Sequence, residues 1–421
     1  MDKSTTYEVK DISLADQGHK NIELAEMHMG ALLQVKKRFE KEKPLKGVRI
    51  GMALHVTKET AVLVRTLIAG GADVAITGCN PLSTQDDVAA ALAHDGVKVW
   101  AYKGETKEDY YRYLTFVIGF KPHITIDDGC DLVTEIHTKH PQLIPQIIGG
   151  CEETTTGVIR LKAMERDGAL KYPIIAVNDN KTKHLLDNYY GTGQSTLDGV
   201  LRATNMLIAG KTVVVAGYGS CGKGVAMRAR GLGANVVVTE VAYFPALQAQ
   251  YDGFRVMPMG EASLLGDLFV TVTGNKHVIR TEHVQKMKPG AVMCNSGHFD
   301  IEIDIASLRK IAKKNRLIRP SLEEFTLTDG KKVFLLAEGR LVNLAAAEGH
   351  PSEVMATSFC GQAAAVEYCV KNKGKLPVQV IQLSEEIDNF IAQLQLEALG
   401  VHIDTLTEEQ KKYLASWSEG T

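Results

Sequence analysis

The chain has 421 residues, too many for one hydrophobic core of ordinary size, so two large domains are expected. Its hydrophobic content of 45% and its charged content of 23% are typical of globular proteins. A formal net charge of −2, with Lys and Arg spread along the chain, excludes a strongly basic surface for nucleic acid or an anionic membrane.

No apolar run approaches the roughly 20 residues that span a bilayer, and the N-terminus lacks the apolar stretch of a secretory signal. The seven cysteines are an odd number without Cys-x-x-Cys spacing, which indicates the reduced thiols of a cytosol rather than disulfides or zinc ligands. We therefore expect a cytoplasmic protein with no membrane segment.

In the first half of the chain, short β-branched runs alternate with segments of helical periodicity. Strands are predicted over 48–54, 73–78, 97–102, 123–129 and 174–179. Helices are predicted over 58–69 and 83–93, the second with Ser83 as its N-cap and Asp86 at the third helical position. This alternation indicates βαβ units around a parallel sheet.

A second series of the same kind begins at Lys211. Its predicted strands are TVVVAGYG, NVVVTE, LFVTVTG, AVMCNSG and KVFLLAEG. A helix over 195–209 separates the two series, and helices over 352–371 and 384–399 follow the second. The predicted fold class is α/β, with two Rossmann-like doubly wound lobes joined by a hinge and a small helical C-terminal tail.

A glycine-rich loop at the start of the second series gives the most specific local signal. Gly217, Gly219 and Gly222 form G-x-G-x-x-G between an apolar run and a helical segment. These glycines permit a tight turn, close approach of a pyrophosphate and close helix packing. Glu240, at the end of the next strand, would accept hydrogen bonds from ribose hydroxyls and disfavour a 2′-phosphate. The pattern predicts an NAD site, and a glycine-rich turn without a ligand is the alternative.

Polar clusters follow several predicted strands of the first lobe, at 55–59, 127–131, 151–156 and 178–183. Open parallel sheets bind ligands at the carboxyl ends of their strands, so four clusters favour a ligand pocket over simple helix capping. The clusters offer carboxylates, an ammonium and an imidazole, which suit proton transfer. Because they include neither HExxH nor a cysteine cluster, no catalytic metal is expected.

Longer segments identify a family that the chain resembles. They read SLADQGHK, LHVTKETAVLVRTL, NPLSTQDDVAAAL, IDDGCDL, EETTTGV, VNDNKTK, GYGSCGKG, GHFDIEID and LLAEGRLVNLAAAEGHP, in this order. From about residue 7 to about residue 415 the chain closely resembles the S-adenosylhomocysteine hydrolases.

The resemblance implies reversible hydrolysis of S-adenosylhomocysteine to adenosine and homocysteine. Bound NAD⁺ would oxidise the ribose 3′-hydroxyl, homocysteine would leave by β-elimination, water would add, and NADH would reduce the ketone again. NAD need not dissociate because there is no net redox change. The protein would supply binding, proton transfer and exclusion of water.

The resemblance also implies roles at matching positions. Lys183 would be the base near the 3′-hydroxyl, with Asp187 at the same ribose edge. To act so, the ammonium would need a lowered pKa, which burial beside another cation would provide. Glu153 would bind the 2′ side, and Asp131 and His55 would handle the C4′ proton and the 5′ leaving group or water.

The complete implied site has three parts. The catalytic residues would be His55, Asp131, Glu153, Lys183, Asp187 and His298. The substrate-binding residues would be Thr57, Glu59, Glu153, Lys183, Asp187, His298, His350, Met355 and Phe359. The cofactor-binding residues would be Thr154, Thr155, Thr156, Asn188, Gly217, Gly219, Ser220, Cys221, Gly222, Glu240, Val241, Thr273, Asn275, Gly297, His298, Asn343 and His350.

The implied domains are a substrate domain over 1–181 and 352–384, an NAD domain over 182–351 and an oligomerisation tail over 385–421. Hinges are expected near 180–195 and 345–355. The implied partners are a small-molecule substrate and further copies of the chain in a homotetramer, with no nucleic acid and no membrane.

The chain departs from the family pattern at a few places. Ala242 to Pro245 replace the usual Asp-Pro after the ribose acid, and Glu348 stands where an apolar or small residue is common. The chain ends at Thr421 without the Lys-Pro…Tyr-Arg-Tyr tail of many members, which leaves a contact with a neighbouring subunit's NAD open.

Three other functions remain open from the sequence. An S-inosylhomocysteine hydrolase would use the same chemistry; Glu59 favours adenine, since a carboxylate pairs with its amine but would face the O6 of hypoxanthine. A net 2-hydroxyacid dehydrogenase would consume NAD and needs an Arg–His pair for its substrate. An NAD-linked nucleoside sensor without activity would not need Lys183, Asp131 or His298.

Overall fold

The computed structural model describes residues 6–418. The first five and last three residues of the predicted domain ranges therefore lie outside the described part. Among residues 6–418, no helix is both long and apolar enough to cross a membrane.

The strands and helices of the described residues alternate over most of the chain. The strands are β1 Tyr7–Val9, β2 Arg49–Ala53, β3 Asp73–Thr77, β4 Lys98–Ala101, β5 Ile124–Asp127, β6 Gly149–Glu152, β7 Ile174–Ala176, β8 Thr212–Ala216, β9 Asn235–Thr239, β10 Arg255–Val256, β11 Leu268–Thr271, β12 Val292–Asn295, β13 Ala312–Arg319, β14 Leu322–Leu327, β15 Lys332–Leu336 and β16 Val380–Ile381. The helices are α1 Ala15–His28, α2 Gly30–Glu42, α3 Lys58–Ala69, α4 Asp86–His94, α5 Lys107–Gly119, α6 Asp131–Lys139, α7 Thr155–Arg166, α8 Lys181–His184, α9 Thr192–Thr204, α10 Ser220–Gly231, α11 Tyr243–Tyr251, α12 Met259–Ala262, α13 Thr281–Val284, α14 Ile305–Ile311, α15 Val342–Ala345, α16 Ser352–Lys371, α17 Glu385–Ala398 and α18 Glu408–Leu414.

The first lobe is built on a fully parallel sheet of order β1-β4-β3-β2-β5-β6-β7-β16. Helices α1 to α4, α16 and α17 cover one face, and α5, α6 and α7 cover the other. Because both faces are buried, the strands are apolar almost throughout. The strand order reverses between β2 and β5, and an open α/β sheet binds its ligand at such a switch point.

The second lobe repeats this plan with the order β10-β9-β8-β11-β12-β15-β14-β13. Its switch point lies between β8 and β11. Strands β14 and β13 pair antiparallel at one edge, which the sequence did not predict. The turn at Asp329-Gly330, with Gly330 at φ 88°, reverses the chain between β14 and β15. The α/β two-lobe fold class is confirmed.

Two predicted helices have different ends in the structure. The helix predicted from Ser83 begins at Asp86 instead, because residues 81–83 form a turn in which the Ser83 hydroxyl donates to the Asn80 carbonyl rather than capping a helix. The helix predicted over 195–209 is α9, and Asn205 ends it in the left-handed conformation at φ 53°.

The C-terminal segment divides into a packed and an exposed part. Helix α17 buries Ile391 and Leu394 in the core of the first lobe, against α2 and α16. Helix α18 buries no residue. The domain boundaries stay a prediction, with α17 sharing the first-lobe core.

The two lobes are joined beside a close contact between helices. A Cβ atom built at Gly224 of α10 would lie 1.9 Å from the carbonyl oxygen of Tyr189, in the segment that links the lobes. Gly231, at the end of the same helix, has no atom within 4 Å of such a Cβ. The first glycine is therefore required by packing, and the second is not.

We predict that Gly224→Ala lowers stability by about 1–3 kcal/mol, because the methyl group forces the two segments apart. Gly231→Ala is the control, and we expect it to leave the melting temperature unchanged or raised, since Ala favours a helix over Gly. Thermal unfolding of both variants is the measurement. Equal melting temperatures for the two variants would contradict this account of the interhelical contact.

Candidate active site

A cavity of about 800 Å³ lies between the lobes, where the carboxyl ends of both sheets face each other. First-lobe residues of the predicted site that line it are His55, Thr57, Glu59, Glu153, Thr154, Thr155, Thr156, Met355 and Phe359. Those of the hinge and second lobe are Lys183, Asp187, Asn188, Gly217, Gly219, Ser220, Cys221, Glu240, Val241, Thr273, Asn275, Gly297, His298, Asn343 and His350. The structure thus brings together every predicted site residue except Asp131 and Gly222.

The buried ammonium of Lys183 is the centre of the cavity's polar network. Its Nζ lies 2.6 Å from Asp187 Oδ2, 2.7 Å from Asn188 Oδ1 and 3.6 Å from Glu153 Oε1. Lys183 lies on α8, and the other groups come from the following turn and from the end of β6. An ammonium has three donors; two of them bind Asp187 and Asn188, and Glu153 contributes an ion pair at a longer distance, so one donor stays available for a ligand.

In this structure the charges around Lys183 act against the lowered pKa that a base at this position would need. Burial by itself would lower that pKa, but the Asp187 and Glu153 carboxylates together raise it above its usual value. Lys183 is therefore a charged ammonium here. It can accept a proton only after one of these carboxylates is neutralised or a further cation enters the site.

The carboxylates around Lys183 are held by groups from the far end of the chain. Ser358 Oγ and Gln362 Nε2, four residues apart on α16, each donate to Glu153 at 2.5 Å. Burial raises the pKa of Glu153, against the attraction of Lys183.

The carboxylate of Asp187 joins the hinge to the segment that returns to the first lobe. His350 Nδ1 lies 2.5 Å from Asp187 Oδ1, and Asn343 Nδ2 lies 3.2 Å from His350 Nε2. Burial would raise the Asp187 pKa, yet His350 and Lys183 hold it well below its usual range. Asp187 is therefore a stable carboxylate.

A second group of ionisable residues spans the two lobes. Asp128, after β5, lies 3.4 Å from His55 Nε2 and 3.4 Å from His298 Nδ1. Burial lowers the pKa of His55 to about 4, against the attraction of Asp128, so His55 is neutral near pH 7. Ser83 Oγ at 2.7 Å and Cys79 Sγ at 3.3 Å from His55 Nδ1 fix the orientation of the ring.

Two of the sequence predictions concern this part of the molecule: the absence of a metal and the catalytic role of Asp131. One ligand atom each of His55, Asp128 and His298 lie within 4.8 Å of one another, a spacing that could hold an ion, so the absence of a metal stays a prediction. Asp131 lies outside the cavity lining, where Arg160 NH1 at 2.6 Å and Tyr110 OH at 3.0 Å bind its carboxylate. Its catalytic role also stays a prediction.

The cavity lining combines a buried carboxylate with apolar side chains. Glu59 is 2% exposed and accepts a hydrogen bond of 2.7 Å from Ser352 Oγ. Met355, Phe359 and Leu344 line the same cavity. A carboxylate accepts about four hydrogen bonds, so Glu59 retains capacity for a ligand donor.

Glu348 lines the cavity and pairs with residues of both lobes. Its carboxylate pairs with Lys58 of α3 at 2.9 Å and with Arg202 of α9 at 3.1 Å. The unusual acid at this position thus forms an ion-pair bridge between the two lobes.

The glycine-rich loop has the geometry of a dinucleotide site. Gly217 has φ 106°, and a Cβ at Gly222 would lie 2.0 Å from the Gly217 carbonyl oxygen, so Gly222 acts by packing rather than by lining the cavity. A Cβ at Gly219 would meet no atom within 4 Å, and no side chain caps the start of α10. The exposed backbone N–H groups at that helix start suit a pyrophosphate.

The acid beyond this loop is held in place by backbone N–H groups. Glu240 accepts hydrogen bonds from the backbone N–H groups of Tyr218 at 2.8 Å, Val241 at 2.7 Å and Ala242 at 3.0 Å. The substitutions after Glu240 therefore leave its position intact. The residues present fit NAD.

Several residues that shape the site were not predicted from the sequence. Asp128 belongs to the polar cluster predicted at 127–131, and its position directly after β5 is a signal that favours it over Asp131. Glu302 Oε2 accepts hydrogen bonds from Thr273 N and Oγ1, and thereby holds the loop before Asn275. Ser358 and Gln362 lie on the face of α16 that carries Met355, a helical spacing visible in the sequence.

Comparison with known proteins adds the following similarities. The family model described as S-adenosyl-L-homocysteine hydrolase matches residues 6–140, and the model described as the NAD-binding domain of that hydrolase matches residues 188–349. The chain is 59% identical over 415 residues to the adenosylhomocysteinase of Sulfurisphaera tokodaii and, equally, to the S-inosyl-L-homocysteine hydrolase of Methanocaldococcus jannaschii. Each match covers 99% of this chain and 100% of the relative.

We predict that Glu240→Ala lowers the NAD retained by the purified protein, because two ribose hydroxyls lose a fixed acceptor. The loss in affinity should be about 10-fold or more, as for hydrogen bonds to a charged group. Glu261→Ala, which removes an exposed acid of the same lobe, is the control and should retain NAD fully. Chromatography of the denatured protein measures the cofactor, and equal NAD content in both variants would contradict the assignment of Glu240.

Proposed function

Because the chain belongs to the S-adenosyl-L-homocysteine hydrolase family, we propose that it cleaves the thioether of S-adenosylhomocysteine reversibly to adenosine and homocysteine. The observation that supports this function best is the buried Lys183 network beside the glycine-rich loop. It joins an NAD site to a set of ribose-binding carboxylates within one cavity. The substrate is a small molecule.

The cofactor is NAD, bound at the start of α10 and by Glu240. When bound, NAD supplies a hydride acceptor and then a hydride donor for the ribose 3′ carbon, so the overall reaction has no net redox change. The chain's part is to hold the ribose edge, to move protons and to exclude water.

At the 2′ and 3′ edge, we assign the ribose hydroxyls to the Lys183 network. Glu153 accepts from the 2′ side, and Lys183 and Asp187 face the 3′-hydroxyl. Lys183 begins as an ammonium, so it polarises the 3′ oxygen by hydrogen bonding. To remove the 3′ proton, Lys183 must first lose its own proton, so the pKa of Lys183 has to fall. A cation bound beside Lys183 would lower that pKa.

At the 4′ and 5′ side, we assign proton transfer to the group that spans the lobes. His55 is neutral near pH 7 and can accept a proton, while Asp128 stabilises the imidazolium that results. His298, from the second lobe, contacts the same Asp128 carboxylate. Asp131 stays a candidate for this side, held by Arg160.

At the purine end, Glu59 accepts from the exocyclic amine of adenine, with Met355 and Phe359 as the apolar wall. S-inosyl-L-homocysteine is the second candidate substrate. The observation that favours it is the 59% identity to a relative with that name in Methanocaldococcus jannaschii, equal to the identity with an adenosylhomocysteinase. The two substrates share every step at the ribose.

We also propose a cytoplasmic homotetramer. The seven cysteines are free thiols, which is consistent with a reducing compartment. Helix α18 buries nothing and Trp417 is 95% exposed, so the tail offers apolar area for a neighbouring subunit. Hinge motion near 180–195 and 345–355 would open the cavity to substrate.

The proposed function is tested with purified protein and no added NAD. S-adenosylhomocysteine or its inosyl analogue is supplied, and a thiol reagent reports homocysteine. We expect thiol release from the adenosyl substrate and NAD in the denatured protein. Thiol release from the inosyl substrate alone would identify S-inosylhomocysteine as the substrate instead. Thiol release from neither substrate, with NAD also added, would contradict the hydrolase function.

A matched pair of lysine variants accompanies this assay. Lys183→Met should reduce the rate of thiol release about 10²-fold or more, as expected for loss of a proton-transferring group. Lys181→Met removes an exposed ammonium two residues away and should retain the rate.

A further inference from the structure

The carboxylate of Asp388 lies far from Lys183 in the sequence but touches the turn that contains it. Asp388 is on α17 and is 6% exposed. Its oxygens lie 2.5 Å from the backbone N of Lys181 and 3.1 Å from the backbone N of Thr182, and the Thr182 hydroxyl also donates to it. One buried side chain therefore accepts three hydrogen bonds from two consecutive residues.

Helix α8 needs such an external partner. It has a single turn, and its own N-cap residue, Asn180, makes no side-chain capping bond. The first N–H groups of a helix have no partner within the helix, and a buried N–H without a partner is costly. Asp388 supplies the missing acceptors from another helix.

The same turn is held from its other end. Thr357 Oγ1 of α16 donates to the Thr182 carbonyl oxygen at 3.0 Å, and Lys183 N donates to the Asn180 carbonyl oxygen at 3.1 Å. The backbone on both sides of Thr182 is thus fixed by α16 and α17. Because Lys183 follows directly, these contacts set the point from which its side chain reaches Asp187.

We propose that Asp388 is a positioning residue for Lys183, acting through the N-terminal turn of α8. The inference rests on the proposed function of Lys183 in proton transfer at the ribose. It gives α17 a role in the active site that differs from packing: Ile391 and Leu394 attach the helix to the first lobe, and Asp388 uses that attachment to fix the catalytic turn.

The test compares Asp388→Ala with Glu385→Gln. Glu385 lies one turn before Asp388 on α17 and pairs with the exposed Lys181 ammonium, so its variant removes a charge from the same helix without touching the α8 backbone. In Asp388→Ala we expect kcat for thiol release to fall about 10-fold or more, because a small misplacement of a reacting group can cost up to about 10²-fold. We expect KM to stay within about twofold of the wild type, and the bound NAD to be retained.

Two conservative variants keep the test independent of folding. Asp388→Asn keeps an oxygen acceptor and should restore part of kcat. Thr182→Val removes one of the three donors and should lower kcat in the same direction by a smaller factor. A wild-type kcat in Asp388→Ala would overturn the positioning role. So would a lower kcat, a changed KM and a loss of bound NAD that occur to the same extent in Asp388→Ala and Glu385→Gln.

A readout without turnover separates this inference from the proposed function. With ¹⁵N-labelled lysine, the Lys183 Nζ resonance should shift in Asp388→Ala and stay in place in Glu385→Gln. If the wild type releases no thiol from either substrate, the proposed function fails, while this shift still decides the positioning. An unchanged Lys183 resonance in Asp388→Ala would overturn the inference.

Discussion

The active site depends on one buried ammonium and the acids that keep it charged. Removing one partner of a buried ion pair costs about 3–5 kcal/mol of stability, because the other charge is left uncompensated. Lys183 therefore requires Asp187 and Glu153. Those acids are held in turn by His350 from the returning segment and by Ser358 and Gln362 from α16. The site is therefore assembled from distant parts of the chain by one electrostatic requirement.

The two sheets explain why this cluster lies where it does. Each lobe reverses its strand order near its middle, and a parallel sheet opens its ligand crevice there. His55 and Asp128 follow β2 and β5, and the loops after β8 and β11 line the cavity from the second lobe, where the cofactor is proposed to bind. Since the crevices face each other, the proposed function would place the nucleoside of the first lobe against the nicotinamide side of a dinucleotide in the second.

Sequence patterns with a local cause were predictable, and features that depend on distant neighbours were not. The strands, the glycine-rich loop and Glu240 follow from periodicity and spacing. Helix α4 starts later than predicted because Ser83 bonds to a neighbouring carbonyl. The antiparallel strands β13 and β14 were not predicted, because no helix separates them from each other or from β15 and the βαβ pattern is therefore missing. The sign of the Lys183 pKa shift depends on which charges surround it. Asp128 and Asp131 are both acids that follow β5, so residue type alone does not distinguish them, although only Asp128 follows the strand directly.

The charge of Lys183 is the central claim, and its titration is the most direct test. In protein with ¹⁵N-labelled lysine, the Nζ resonance missing from Lys183→Met identifies this side chain, and its shift is followed against pH. The carboxylate cluster predicts that Lys183 stays protonated through the usual lysine range, with a pKa above about 10.4. A pKa near or below about 8 would contradict the account, because it would mean that burial outweighs Asp187 and Glu153 and that Lys183 is a neutral base before any ligand binds.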